Sequence, residues 1–373
     1  MGFFSRFRKS DPVEPTPPAE PPDATPDQDD QALGWDAITA VFDAAYPGQQ
    51  NPQHWGTLIP WTLGGPDPIR GISAYRATEP VPHWHYVSYG YSDLFGDQAE
   101  EAAQRGEPAP EWSGYGVEMS LRLADPAAAD PDATAPAWVL NLLQNLARYV
   151  FRSGAVIRAG HYLNANGPIA LDQETALVGL VFVEDPIHPE PVETPYGKVQ
   201  LVQAVGVTAA ELDAAAAWNP RGLARLVGRA HGYGLTALGR PGIETDPALW
   251  QQVQASIDSE GSTSSFFNVE TLRVTPEGED LVIDLVGGVD LAFRAIASRV
   301  AKGEPVRMIG NDHVLHFTPQ TDQVVRETDA EQTTLSLTPE GAAGLRQLPE
   351  PPFALRVDGI PGVVWRVAAA EPA

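Results

Sequence analysis

Two histidines separated by one residue have the spacing in this sequence that most resembles a reactive site. His83 and His85 lie in the run HWHYVSY, whose alternation predicts a β-strand. Side chains two apart on a strand share a face, so these imidazoles could ligate a metal together. Asp93 and Asp97 are the nearest further ligands in the sequence. We interpret both histidines as part of the structural framework, and we expect neither a metal nor a cofactor.

Known catalytic and phosphate-binding motifs do not occur in the sequence. G-x-S-x-G and G-x-x-x-x-G-K are both absent, and there is no cysteine. Residues 232–237 match G-x-G-x-x-A, but a helical pattern precedes them and Pro241 follows, so no helix dipole can meet a pyrophosphate. Glu184 and Asp185 are adjacent carboxylates before Pro186, and neighbours on a strand point apart. The sequence therefore predicts a protein that is not an enzyme.

The chain is acidic both in its first 31 residues and beyond them. Three basic and seven acidic side chains in residues 1–31 leave −21 of the formal net charge of −25 for the rest. Such a surface repels phosphate backbones, so we expect no nucleic-acid partner. The charge serves solubility in general, and it also suits a basic partner. The sequence contains no run of 18 apolar residues, so we expect no transmembrane segment. The lack of cysteine is typical of a cytoplasmic protein.

The N-terminal residues 1–31 have the composition of a disordered tail. Residues 11–31 contain seven prolines and a cluster of Asp, which leaves too few apolar side chains for a core. The beginning, MGFFSRFRK, mixes Phe with Arg and Lys. This short segment either contacts an anionic membrane surface weakly or is simply part of the disordered end.

Hydrophobic periodicity predicts the elements that would position these side chains. Residues 33–46 and 137–151 have apolar side chains at helical spacing. The segments with strand character are 55–63, 70–77, 83–89, 115–123, 176–183 and 199–207. Large side chains on both faces of 83–89 predict a strand that is covered on both sides. The acidic segment 98–113 contains Gly and Pro, and we expect a loop there.

Strand 115–123 alternates apolar residues with Glu118, Ser120 and Arg122. This pattern is typical of a strand with one face in the core and the other in solvent. We therefore expect these three polar side chains to face outward.

The second half of the chain continues the mixture of strands and helices. Thr208 with Glu211, and Asp246 with Pro247, are capping signals for two further helices. The Ser/Gly-rich stretch 256–268 is predicted to link a domain of residues 32–255 to a second domain of residues 269–373. The second domain has strand patterns at 269–274, 279–286, 305–310, 313–317, 332–337, 353–357 and 362–367, and helical patterns at 289–302 and after Thr338. The order lacks a βαβ rhythm, so we predict two α+β domains with mixed sheets behind the disordered tail.

Four blocks of the sequence together carry a family resemblance: LGGPDP at 63–68, HWHYVSYGYSDLFGD at 83–97, LARYVF at 146–151 and EDPIHPEPVETPYG at 184–197. These blocks resemble the suppressor of fused family. Their order and spacing also fit the family, and a weaker similarity continues through the last third of the chain. The resemblance implies a protein-binding module with a cleft between its two domains.

The resemblance also implies where a partner binds. In animal members of the family, the two domains clamp an extended peptide of a Gli-type transcription factor, which adds as a strand in the cleft. Two family positions near that cleft match Tyr149, in LARYVF, and Glu184, in EDP. At a third position the family has Asp in S-G-D-H, whereas this chain has His161 in AGHY. We expect this exchange to alter the choice of partner, and Tyr149 also suits a core position on its amphipathic helix.

Composition and resemblance together suggest a biological role. The Arg and Ala bias and the lack of cysteine are typical of a bacterial protein, and bacterial relatives are associated with immunity to secreted polymorphic toxins. An acidic protein suits a basic toxin, since complementary charge speeds association. The alternative is a cytoplasmic regulatory scaffold that sequesters another protein. An unrecognised enzyme is a third alternative.

Overall fold

The structure is a computed structural model that describes residues 32–49, 51–269, 271–286, 289–310, 313–322, 325–329, 331–349 and 351–369. Its α-helices are α1 Leu33–Ala45, α2 Asp97–Gln104, α3 Trp138–Ser153, α4 Ala209–Ala217, α5 Pro220–His231, α6 Pro247–Glu260, α7 Asp290–Ala301 and α8 Pro339–Leu345. The strands of the first half are β1 Gln53–Gly56, β2 Gly71–Ala77, β3 His83–Tyr89, β4 Trp112–Ala124, β5 Tyr162–Asn164, β6 Gly179–Glu184, β7 Val192–Thr194, β8 Gly197–Val207 and β9 Leu235–Thr236. The remaining strands are β10 Phe266–Asn268, β11 Leu272–Glu277, β12 Asp280–Val286, β13 Val306–Ile309, β14 Val314–Pro319, β15 Val325–Thr328, β16 Gln332–Leu337, β17 Phe353–Arg356 and β18 Val363–Ala368.

The described residues form two compact units. Residues 32–209 and 224–242 make up the first unit, and residues 210–223 and 243–369 make up the second, with the gaps given above. Both units mix helices with sheets that contain parallel and antiparallel strand pairs. The predicted α+β fold class with mixed sheets is confirmed.

The first unit is built on one mixed sheet. Its strands follow the order β1-β2-β3-β4-β8-β6-β5, while β7 pairs with β8 and β9 pairs with β4. The pairs β4–β8 and β4–β9 are parallel. The other neighbouring pairs along the order are antiparallel. Strand β3 therefore lies in the interior of the sheet, where its backbone pairs on both sides.

Both faces of β3 are covered, as its sequence predicts. One apolar cluster combines α3 with the face that carries Trp84 and Tyr86. A second cluster combines α1 with the face that carries Val87 and Tyr89. Every residue of β3 is buried. The large side chains on both faces thus fill two separate layers, one between the sheet and each helix.

The prediction that the polar residues of β4 face outward is wrong. Glu118 and Ser120 are fully buried. Arg122 is half-buried, and its guanidinium donates to Gln203 Oε1 (2.9 Å) and to the backbone oxygen of Tyr233 (3.0 Å). Polar alternation is the same for a solvated face and for a face that buries hydrogen-bonded polar groups, so the pattern alone does not separate the two.

Glu118 is a carboxyl group surrounded by donors. Its Oε1 accepts hydrogen bonds from the backbone N–H groups of Gly90 (2.8 Å), Tyr91 (3.0 Å) and Ser92 (3.0 Å), and from the Ser92 hydroxyl (2.7 Å). Its Oε2 accepts a hydrogen bond from the Ser88 hydroxyl (2.6 Å). Burial raises the pKa of Glu118 to about 7, although these hydrogen bonds act in the opposite direction. The carboxyl group therefore holds the segment that follows β3.

The prediction of a strand at residues 55–63 is also wrong. Strand β1 ends at Gly56, and a short 3₁₀ turn occupies Trp61–Leu63. Pro60 has no N–H group to donate to a neighbouring strand, and Gly64 takes a φ of 85° that closes the turn. Gly and Pro at the end of an apolar run were the signal for this turn.

Part of the loop predicted at residues 98–113 is helical. The buried Asp93 carboxylate accepts hydrogen bonds from the backbone N–H groups of Gly96 (2.9 Å), Gln98 (2.9 Å) and Ala99 (3.2 Å), which satisfies the start of α2. The capping residue lies four positions before the helix, outside the usual N-cap position. Acidic composition alone therefore gave the wrong prediction.

The second unit contains two mixed sheets that share one aromatic core. Their orders are β10-β13-β14-β16-β15 and β11-β12-β18-β17. Trp365 on β18 meets Phe293 on α7 edge to face, with 5.1 Å between ring centroids. Trp365 also stacks on Phe317 of β14 at 6.4 Å. The indole therefore joins the two sheets and α7.

Three further predictions concern the linker, the N-terminal tail and membrane spans. Helix α6 ends at Glu260 and β10 begins at Phe266, so both overlap the linker predicted at 256–268, and the domain boundary there stays a prediction. The predicted tail, residues 1–31, lies outside the described residues. Within the described residues, no helix combines the length and apolar character that a membrane span requires.

We predict that Glu118→Ala lowers the free energy of unfolding by at least about 3 kcal/mol, because three backbone N–H groups and two hydroxyls lose a buried acceptor. Urea unfolding at pH 7 measures the change. Glu79→Ala, at an exposed glutamate before β3, is the matched control and should change stability by less than about 0.5 kcal/mol. Equal stability of the two variants would contradict the role of Glu118.

The titration of Glu118 gives this prediction a pH dependence. Because the folded pKa is raised to about 7, the folded state holds this proton more tightly than the unfolded chain. The contribution of Glu118 to stability is therefore largest below about pH 4.5 and declines as the pH rises through 7. Glu118→Gln should remove that decline between pH 5 and 7.5, as measured by urea unfolding across this range.

Candidate partner-binding surface

Tyr149 lies near the C-terminal end of α3, at the border of the core. Its neighbours Leu146 and Val150 are buried, whereas Tyr149 itself is half-buried and packs against the same apolar cluster. The Ser153 hydroxyl donates to its backbone oxygen at 2.7 Å, and Gly154 ends the helix in the left-handed region. The ring thus has both a core face and an accessible face.

His161 lies beside the ladder between β5 and β6. The Phe182 N–H donates to the backbone oxygen of His161 (2.9 Å), and the Gly160 N–H donates to the backbone oxygen of Phe182 (2.7 Å). The imidazole is exposed, and its Nδ1 accepts from the Arg158 N–H at 3.2 Å. The neutral ring therefore carries its proton on Nε2.

Glu184 is the last residue of β6, and it shares a face of the sheet with the core under α3. It pairs with Val202, which belongs to that core together with Phe182, two residues earlier on β6. Directly opposed residues point to the same face, so His161, opposite Phe182, also lies on this side. The ladder brings His161 and Glu184 to one corner of the sheet, and Tyr149 lies on the helix that covers that face.

Asp185, the next residue, points to the opposite face and is fully buried. Its N–H donates to the backbone oxygen of Leu201 (3.0 Å). Its Oδ2 accepts hydrogen bonds from His85 Nε2 (2.9 Å) and from the Ser120 hydroxyl, and its Oδ1 accepts one from the Ile187 N–H (3.0 Å). The carboxylate thus ties the end of β6 to β3 and β4.

His85 extends this network to the end of α1. Its Nδ1 lies 2.7 Å from the Tyr46 hydroxyl, so both ring nitrogens have partners within the protein. Burial raises the pKa of Asp185, but the charge and hydrogen bond of His85, with help from Ser120 and Ile187, outweigh burial and lower it to about 2. Burial also raises the pKa of the Tyr46 hydroxyl well above its usual range. The hydrogen bonds among Tyr46, His85, Ser120 and Asp185 therefore hold the end of α1, the strands β3 and β4 and the end of β6 in place.

The two histidines of HWH do not converge on a common ligand. His83 Nδ1 lies 2.8 Å from the backbone oxygen of Val81, whereas His85 contacts Tyr46 and Asp185. Across the part of the chain that the structure describes, no group of three or more His, Asp and Glu side chains has an arrangement that could hold a metal. The framework interpretation of His85 is confirmed by its contacts.

The sequence did not reveal Asp185 as the partner of His85, which lies 100 residues earlier. The available signal was indirect. A histidine inside a strand that is buried on both faces needs hydrogen-bond partners, and a carboxylate at a strand exit is one candidate. Pairing at this separation depends on the order of the strands, which the sequence pattern does not specify.

Comparison with known proteins identifies relatives of this chain. The sequence profile of the family described as Suppressor of fused protein (SUFU) matches residues 65–241, a range that includes the site described above. The Suppressor of fused homolog of Homo sapiens is 36% identical over 243 residues, which cover 62% of this chain and 49% of the human protein. The Mus musculus homolog is 35% identical over 262 residues, with 66% and 52% covered. The chain spans about half the length of these curated relatives.

Two solved structures are similar in fold. The crystal structure of Drosophila Suppressor of Fused has a TM-score of 0.70 at 22% sequence identity, and the match covers 91% of this chain and 98% of that chain. A chain in the crystal structure of the Sufu–Fu complex has a TM-score of 0.54 at 30% identity, and the match covers 60% of this chain and 98% of that chain. The first match shows a common fold over nearly the whole chain.

We predict that Asp185→Asn destabilises the first unit by about 2–4 kcal/mol at pH 7, since it leaves buried donors facing an amide. Urea unfolding measures the loss, and Asp172→Asn, at an exposed aspartate of the same unit, is the control. Because the folded pKa of Asp185 is depressed, its contribution is complete above the unfolded pKa near 4 and is lost as the pH falls through about 2. The difference between wild type and Asp185→Asn should therefore shrink from pH 5 to pH 2. A constant difference would contradict the ionised pairing.

Proposed function

The chain belongs to the suppressor of fused family, and on this premise we propose that it binds an extended segment of a partner protein at Tyr149, His161 and Glu184. The observation that carries the proposal is the corner of the sheet where the β5–β6 ladder places His161 and Glu184 on the face covered by the helix of Tyr149. The complex named in the Sufu–Fu structure supports protein binding by a relative. The predicted position of the site in a cleft between two domains is part of this proposal.

Strand addition fits the position of β5. It is the last strand in the order of its sheet, and it has only three residues. The end of a sheet is where β-augmentation adds a strand, because backbone hydrogen bonds then supply affinity and side-chain pockets supply choice. A short terminal strand also resists uncontrolled association between sheets, which suits selective binding of one segment.

Each of the three side chains would contribute a different interaction. The half-buried ring of Tyr149 offers an apolar anchor surface with limited loss of side-chain entropy. The Glu184 carboxylate attracts Arg, Lys or backbone N–H groups of the segment. His161 replaces an acceptor-only carboxylate with a ring that both donates and accepts, so the segment it favours differs from the segment that an Asp favours.

The partner that we favour is a basic toxin, which would make this chain a cytoplasmic immunity protein without catalytic activity. The net charge of −25 supports a cationic partner, because complementary charge speeds association and disfavours acidic competitors. A regulatory scaffold that sequesters another protein uses the same surface and the same interactions. The two roles differ in what happens to the partner, since immunity requires that binding abolish a toxic activity.

Site-specific crosslinking tests the surface and identifies the partner in the same experiment. We predict that a photoreactive phenylalanine analogue at Tyr149 crosslinks one specific protein in the native cell, at one contiguous segment. The same analogue at exposed Glu79 should not capture that protein. Crosslinks of equal yield at both positions would place the binding surface elsewhere.

With the captured partner in hand, we predict that Glu184→Arg and Tyr149→Ala each weaken binding by about 30-fold or more, the usual loss at a buried anchor of about 2 kcal/mol. Glu79→Arg makes the same charge change at an exposed site and should alter affinity by less than about 3-fold. His161→Asp should change the ranking among partner segments. Calorimetry measures the affinities, and thermal unfolding establishes that each variant is folded.

The immunity role has its own test. We predict that the captured partner is toxic when it is expressed alone and that co-expression of this chain restores growth. Glu184→Arg should abolish this protection, whereas Glu79→Arg should preserve it. Growth in liquid culture measures protection. A captured partner that is not toxic when expressed alone would favour the regulatory scaffold.

A further inference from the structure

A second surface of the first unit has the features of a docking site. Aliphatic side chains that precede and follow Trp61 are strongly exposed: Leu58 at 87%, Ile59 at 54% and Leu63 at 76%. Exposed apolar side chains that cluster on a surface mark interaction sites more often than isolated ones do. We call residues 57–65 the apolar turn.

The apolar turn is held in one conformation by its backbone. The Pro60 oxygen accepts hydrogen bonds from the N–H groups of Leu63 (2.9 Å) and Gly65 (3.1 Å), and the Trp61 oxygen accepts one from Gly64 (2.9 Å). A Cβ atom at Gly65 would lie 1.9 Å from the Ile59 oxygen, so only glycine permits this close approach. The exposed side chains therefore project from a preorganised turn, which lowers the entropy cost of binding.

Helix α3 supports the segment that follows the turn. The Ile69 N–H donates to Gln144 Oε1 (3.2 Å), and Gln144 Nε2 donates to the Ile69 oxygen (3.1 Å). Arg148 forms an ion pair with Asp67. Trp61 meets Phe151 of α3 edge to face, with 6.2 Å between ring centroids. The turn is thus fixed to the helix that also carries Tyr149.

An open cavity of about 170 Å³ lies beside the turn. Its apolar lining comes from Pro60, Trp61, Pro68, Leu94, Phe95 and Phe151. An apolar cavity of about 150 Å³ holds a benzene molecule, so this space suits the side chain of Phe or Leu. Large apolar side chains in such pockets are the usual energetic centres of protein interfaces.

Three polar side chains in the lining, those of Ser92, Asp93 and Arg70, already have partners within the protein. The Asp93 carboxylate caps the start of α2, and the N–H and hydroxyl of Ser92 donate to Glu118. The Arg70 guanidinium lies over the Phe95 ring, 4.8 Å from its centroid. The Asp93 carboxylate already accepts hydrogen bonds from the N–H groups at the start of α2, and its negative charge disfavours binding of an anion there. The cavity therefore suits an apolar side chain rather than a charged ligand.

The cavity is lined by one cationic side chain, Arg70, and borders a segment that is mostly acidic. Residues 97–111 contain five acidic side chains and a single basic one, Arg105, which pairs with Glu101 and Glu107, while Glu111 pairs with Lys198. Asp97 itself lines the cavity. A segment with Arg or Lys beside its apolar residue would find opposite charge here, and screening by salt would weaken that attraction.

We propose that the cavity and the apolar turn bind a segment of a protein partner, in which a Phe or Leu side chain enters the cavity and flanking Arg or Lys residues face α2. This surface does not include Tyr149, His161 or Glu184, so the inference stands independently of the proposed function. Use of both surfaces by one partner would raise its effective affinity, because the second contact becomes intramolecular.

Selection of peptides tests the proposal on the full-length protein. A phage library of random 12-residue peptides is selected on the wild type, with a parallel selection on Leu63→Asp. We expect wild type alone to enrich peptides with Phe or Leu next to Arg or Lys. Enriched peptides that lack a shared apolar residue, that carry acidic flanks, or that bind Leu63→Asp equally well would overturn the proposal.

Affinities of one enriched peptide give the quantitative test. Trp61→Ala, Leu58→Asp and Leu63→Asp should each weaken binding by about 30-fold or more. Leu171→Asp is the matched control, since Leu171 is 79% exposed on the same unit, and it should change affinity by less than about 3-fold. Replacement of the anchor Phe or Leu in the peptide by Ala should abolish binding. Thermal unfolding of each variant separates lost binding from lost folding, and equal losses in all four variants would contradict the site.

Other occupants of the surface give distinct results. Self-association that Leu63→Asp abolishes in sedimentation equilibrium would assign the surface to a second copy of this chain. Sedimentation with phosphatidylcholine–phosphatidylserine vesicles, lost in the same variant, would assign it to a membrane. Either of these results would overturn the proposal of a partner segment.

Discussion

The first unit depends on the burial of β3 on both of its faces. Aromatic side chains fill the two layers, and two helices on opposite sides of the sheet exclude water from the whole strand. Polar groups within such a strand cannot rely on solvent, so each needs a partner from the protein. His85 forms a hydrogen bond with Asp185, and the Ser88 hydroxyl donates a hydrogen bond to Glu118. The hydrophobic burial of this strand and its polar contacts are therefore two consequences of one constraint.

These polar contacts also determine where the candidate binding residues lie. Asp185 is anchored to β3 and β4 on one face, and the alternation of the chain directs Glu184 to the other face. Strand β6 thus ends in a candidate binding carboxylate, and the residue that follows it is a structural carboxylate. A change at Asp185 would displace Glu184 without touching the partner, which is why stability and binding need separate measurements.

The C-terminal part of α3 connects the two proposed surfaces. Tyr149 packs against the core under the sheet, and Phe151 supports the apolar turn through Trp61. The residues proposed for both surfaces lie within the first unit, and each set includes an aromatic side chain and a carboxylate. A partner that is basic and carries large apolar residues would suit both of them, in agreement with the acidity of the chain.

The sequence by itself determined the fold class, the two-sided burial of β3, most helices and strands, and the family, because these follow from local periodicity and from blocks of contiguous residues. It did not determine the buried position of Glu118, the pairing of His85 with Asp185, or the capping of α2 by Asp93. Each of these depends on which polar groups the folded chain brings together, and polar alternation looks the same for a solvated face and a satisfied buried one. The same holds for the candidate sites. The sequence indicated Tyr149, His161 and Glu184 one at a time, whereas only the strand order and register place His161 and Glu184 at one corner, since residues distant along the chain become neighbours through the sheet.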